Sequence, residues 1–117
     1  MYSGLLVKES LSTEQILDEI NISNVEIWKT DNTPKYWTAI SFTSNSASFP
    51  ENLAKVLKRS SESGMVWYVD IQDNTHKYII LKDEVLKYHL GNEEEKKCVC
   101  ERCLELGVKK EQLDWLN

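Results

Sequence analysis

The stretch Gly64-Met-Val-Trp-Tyr-Val-Asp-Ile-Gln-Asp-Asn-Thr-His-Lys-Tyr-Ile-Ile-Leu-Lys-Asp-Glu-Val-Leu-Lys-Tyr-His-Leu90 decides the fold class of this chain. Its aromatic and β-branched runs are separated by two short polar turns, Asp73-Asn74-Thr75 and Lys82-Asp83-Glu84. Such residues suit a pleated, packed surface, and Asp and Asn tolerate turn geometry, so the pattern predicts an antiparallel meander. Its strands are expected at about 65–71, 77–82 and 85–89.

Working outward, Gly4 to Lys8 suits a first short strand, Asn24 to Thr30 a second and Tyr36 to Thr43 a third, with Pro34 in the turn between the last two. Ser12 with Gln15 has capping-box spacing, and Leu11 could staple Ile16, which predicts a helix from Thr13 to about Asn21. Ser48 with Glu51 repeats the box ahead of Leu53, Val56 and Leu57, and Gly64 is expected to stop that helix. Asn92, followed by Glu93, Glu94 and Glu95, marks a third helix ended by Gly107. A short fourth is expected over Lys109 to Leu116. The reading is an α+β domain spanning residues 1–117. It has an antiparallel sheet of five to six strands with two helices on one face, the first six elements following the βαββαβ order of ferredoxin-like folds. A meander extension and two C-terminal helices complete it.

Alternation sorts the strand residues into two faces. Val25, Ile27, Tyr36, Ile40, Phe42, Met65, Trp67, Val69, Ile71, Ile79 and Leu81 form an inner set. Trp28, Trp37, Ala39, Val66, Tyr68, Tyr78 and Ile80 form the opposite set, which is not polar as a solvated face should be. Either the C-terminal helices cover it, through Val99, Cys103, Leu106, Leu113, Trp115 and Leu116, or part stays open as a binding surface. Trp28, Trp37, Tyr68, Tyr78 and Ile80 are the candidate site residues on that open part, since uncharged aromatic patches resemble interface centres.

Composition narrows the partners. A net charge of −5 over 117 residues, with 41% hydrophobic and 28% charged side chains, fits a folded soluble chain and not a disordered one. Residues 61–117 carry 8 basic and 12 acidic side chains, against 6 and 7 in residues 1–60. An acidic chain gains little from neutralising phosphates, which disfavours nucleic acid and anionic membrane surfaces. Lys35, Trp37, Ile40 and Phe42 fit an RNA-recognition strand pattern, but Tyr36, Thr38 and Ala39 break it at its small and stacking positions. No apolar run approaches the roughly 20 residues that span a bilayer, and the N-terminus has no basic lead-in for a signal peptide. Cytoplasmic residence is the expectation.

Chemistry is sparse. Cys98, Cys100 and Cys103 give C-x-C-x-x-C, but on a helix Cys98 and Cys100 project about 200° apart and cannot share one ion. Cys103 and Cys100 read as small core residues and Cys98 as more exposed, in a reducing compartment. His76 and His89 are expected on the surface, and the four glycines build no phosphate loop. No cofactor or metal is called for. The expectation is a non-catalytic protein–protein interaction domain, acting on a protein partner or by self-association. A small-ligand or nucleotide-binding domain using the same aromatic face comes second, and a metal- or thiol-dependent enzyme third.

Overall fold

The structure, a computed structural model, describes residues 1–32 and 34–113. Six strands form one sheet: β1 (Tyr2–Val7), β2 (Asn21–Lys29), β3 (Tyr36–Ser44), β4 (Val69–Gln72), β5 (His76–Leu81) and β6 (Glu84–His89). They lie in the order β2-β3-β1-β4-β5-β6, antiparallel throughout, so β1 sits between β3 and β4. Two α-helices accompany them, α1 (Phe49–Val56) and α2 (Glu93–Glu105).

This corrects the expected architecture: the molecule is sheet-dominant, with two short α-helices among the described residues, not four. The segment expected as the first helix forms isolated 3-10 turns at Lys8–Ser10 and Gln15–Glu19. The capping box fails because Ser12 is committed elsewhere. Its backbone N–H and its hydroxyl both donate to the Val56 carbonyl, at 2.7 and 2.8 Å. With β2 starting at Asn21, too few residues remain to repay helix nucleation. The second helix ends at Val56, well before Gly64, because Leu57 turns extended and bridges Leu11. The fourth helix is a 3-10 turn at Lys110–Gln112, and its end from residue 114 on, with Trp115 and Leu116, lies outside the described residues. The βαββαβ reading therefore fails at its first helix.

The two α-helices lie on opposite faces of the sheet, α2 on the face that the C-terminal helices were expected to cover. Beneath α1, Phe49, Leu53, Ala54 and Leu57 pack on Leu6, Ile40, Phe42, Val69, Ile71 and Ile80. Beneath α2, Val99 and Cys103 pack on Ile79, Leu81 and Tyr88, with Val108 and Leu113. Ile79 and Ile80 are adjacent in β5 and both fully buried, so the sheet is covered on both sides at this end. The register explains the exchange of faces. Val69 pairs with Ile80 and Ile71 with Tyr78, and directly opposed residues share a face. Tyr78 and Ile80 thus belong under α1, one residue out of phase with the sorting by alternation. Val25, Ile27 and Tyr36 lie on the α1 side but beyond its reach, and are exposed.

Two expectations hold in detail. Asn92 caps α2, its side-chain oxygen accepting from the Glu95 N–H at 3.0 Å. Past the helix, Gly107 takes a φ of 96°, a left-handed conformation that glycine adopts without strain.

Candidate functional site

The α2 layer stops short of the β2-β3-β1 end, and there the second face opens into an aromatic cleft of about 280 Å³. Trp28 and Trp37 are directly opposed across β2 and β3. Ile40 and Phe42 of β3 point under α1, so alternation sends Trp37 and its partner Trp28 to the other side. On β1, Leu5 and Val7 flank the buried Leu6 and supply the aliphatic floor. The segment Met65–Tyr68 forms the wall. It is tied to the chain before it by the Ser60–Val66 bridge and by the Trp67 N–H donating to the Arg59 carbonyl at 3.2 Å.

Trp67 is 4% exposed and packs its ring on Trp37, centroids 4.8 Å apart at 55°. That separation and tilt fall among the favoured aromatic pair geometries. Tyr68 donates its hydroxyl to the Gln112 carbonyl, closing one end. Behind β3, the Glu9 carboxylate accepts from the Thr38 N–H at 2.6 Å and from its hydroxyl at 2.9 Å, fixing the strand beside Trp37. Trp28 is the solvent-facing wall, 38% exposed, with its N–H directed to Glu26 at 3.4 Å. The Trp37 indole N–H is buried with no hydrogen-bond partner among the described residues. An unmet buried donor costs about 1–3 kcal/mol, so packing, not polar anchoring, holds this ring.

Asp70 is the one charged residue among the described lining, and it is paired with Lys77 at 3.0 Å. The cleft therefore offers stacking faces, methyl groups and a single neutralised carboxylate. No nucleophile–base pair borders it among the described residues.

Of the five candidate residues, Trp28, Trp37 and Tyr68 line this cleft. Tyr78 and Ile80 do not. Ile80 is in the α1 core, and Tyr78 stacks edge-on to Tyr2 at 5.3 Å while donating to Asp73 at 2.9 Å. Burial first, then the bond to Asp73, pushes the Tyr78 phenol above its ordinary range. Trp67 was missed because alternation assigned it inward, and Met65–Tyr68 is not a strand to which alternation applies.

A second cluster was also missed. His76 and His89 are opposed across β5 and β6, with ring centroids 4.0 Å apart, and Glu95 lies 2.8 Å from His89 Nδ1. His76 is half-buried and His89 exposed. Only strand register, invisible in spacing alone, brings them together. On α2, Cys98 is exposed, Cys100 half-buried and Cys103 buried, all unpaired. Among the described residues no group of three or more His, Cys, Asp or Glu is placed to hold a metal ion. No described helix is long and apolar enough to cross a membrane.

Comparison with models of known families, with curated proteins and with solved structures finds no match to the chain.

Proposed function

We propose that this chain is a binding domain without chemistry of its own, and that it engages a partner protein by seating one apolar or aromatic side chain of that partner in the cleft. The observation that carries this reading is the convergence of Trp28, Trp37, Trp67 and Tyr68 on about 280 Å³ of space beside the part of the sheet that α2 covers. Interfaces concentrate their energy in a few anchors that enter well-packed aromatic pockets. At about 280 Å³ the cleft sits at the lower edge of the about 300–1,000 Å³ typical of sites for drug-sized molecules, a size that a single side chain fills. The lone carboxylate Asp70 also argues against a phosphate-bearing ligand. Three unpaired cysteines fit a reducing compartment such as the cytoplasm.

The test uses p-cresol as a mimic of a tyrosine anchor. Protein labelled with 5-fluorotryptophan is titrated and followed by fluorine NMR, with signals assigned by single Trp→Phe variants. The reading expects saturable shifts at Trp28, Trp37 and Trp67, and their loss when Val7→Trp fills the floor. Shifts that never saturate, or that persist unchanged in Val7→Trp, would sink it.

A further inference from the structure

The two edges of the sheet are finished differently. At β6, α2 packs back on the strand and Glu95 accepts from the His89 backbone N–H at 2.8 Å. Arg102 also grips Glu84, at 2.7 and 2.9 Å. β2 has no such cover. All nine of its residues, Asn21–Lys29, are exposed, and among the described residues nothing pairs with its outer side. Ile22, Val25 and Ile27 are 51%, 51% and 65% exposed. Proteins blunt open edges with charges, prolines, short strands, bulges or a covering helix. β2 is long, holds no proline, and has its one irregularity near its start, between Ile22 and Asn24.

We propose that β2 is a self-association edge, pairing antiparallel with β2 of a second copy about a two-fold axis at Val25. The two six-stranded sheets then become one continuous sheet. The occupant is identified by self-complementarity. A two-fold contact must match itself, residue for residue. With the axis at Val25, Val25 faces its own copy, Glu26 faces Asn24, and the Lys29 end lies beside the Asn21 end. No like charges meet, and the pairing is centred on the regular part of the strand that follows the irregularity between Ile22 and Asn24. Moving the axis one residue to Glu26 would oppose two glutamates. The strand holds one Glu and one Lys, so the seam adds no net charge to a chain that carries −5. Because opposed residues share a face, the Val25 and Ile27 side chains of both copies gather on the α1 side and shield one another. Main-chain hydrogen bonds supply the affinity, as in strand addition generally. This contact rests on the strand edge and is independent of the cleft.

The test is the oligomeric state of the full chain by sedimentation velocity across a concentration series. The wild type is expected to form a concentration-dependent dimer. Val25→Lys and, separately, Ile27→Lys should each give a monomer whose thermal melt matches that of wild type at dilutions where the wild type is monomeric, since both positions are exposed within one copy. Register is read in a Cys98→Ser background. Val25→Cys should form a disulfide-linked dimer under mild oxidation, because directly opposed Cβ atoms sit about 4.5–5.5 Å apart, and Glu26→Cys should not. A wild type that stays monomeric overturns the proposal. So does a dimer that both lysine variants leave intact, or one in which β2 prefers to pair with an unrelated extended peptide.

Discussion

Gly4 provides the sharpest test of the packing described above. It lies mid-strand in β1, opposed by Phe42 on one side and Ile71 on the other. Its φ is not among the positive ones, so backbone freedom does not explain it. On propensity alone, Gly→Ala in a strand should stabilise by about 0.4–1 kcal/mol, by restricting the unfolded chain. The structure reverses that sign. An added Cβ would lie 2.7 Å from Ile71 Cγ2, 2.9 Å from the Asp70 carbonyl oxygen and 3.2 Å from Ile71 Cα. Two of those atoms are backbone in the central β1–β4 pair and cannot rotate away. Overpacking of this kind costs about 1–3 kcal/mol, leaving a net loss of about 1–2 kcal/mol for Gly4→Ala. For a chain of 117 residues this lowers Tm by about 4–8 °C. Calorimetry with urea unfolding at a fixed temperature measures both quantities. An unchanged or raised Tm would refute the close β1–β4 approach.

Three further outcomes follow from single contacts. Asn92→Ala removes the α2 cap and should cost about 1 kcal/mol in urea unfolding; no loss would mean that the cap is not formed in solution. Burial works against the Asp73 charge, but backbone N–H groups of Thr75 and His76 and the hydroxyls of Tyr78 and Thr75 outweigh it, lowering the carboxyl to about 2. A depressed acid stabilises the fold above its unfolded value and loses that contribution as pH falls from about 4 toward the folded value. Asp73→Asn should therefore be less stable than wild type at neutral pH and match it near pH 2, and an equal gap at both would contradict the assignment. Burial first, then the neighbouring Cys100 and Glu84, pushes the Cys103 thiol up to about 11. A thiol-disulfide reagent at mildly alkaline pH should modify Cys98 fast and Cys103 only on unfolding; equal rates would place Cys103 at the surface.

Much of the sheet was legible because its strands are punctuated by turn residues with one mechanical reading each. Asp73-Asn74-Thr75 and the Lys82-Asp83 turn sit where the meander required them. Asn92 and Gly107 bracket α2 for the same reason. Phase in β3 was legible because the apolar Ile40 and Phe42 alternate with the polar Ser41 and Thr43, which placed Trp37 on the cleft side. In β5 the run Tyr78-Ile79-Ile80-Leu81 carries no phase, since both faces are covered and both must be apolar. The false first helix has a different cause. Ser12 and Gln15 have the right spacing, but the Val56 carbonyl, forty-four residues away, claims the Ser12 hydroxyl. Trp67 joined the cleft through a turn that no local pattern announces.

The central claim is that a partner's side chain is seated in the cleft beside Trp37, while the apolar strip of β2 is left to a second copy of the chain. Intermolecular NOEs between p-cresol ring protons and the methyl groups of the protein test it directly. Contacts to the Met65, Leu5 and Val7 methyls are the predicted result. Contacts confined to Ile22, Val25 and Ile27, or none at all, would contradict it.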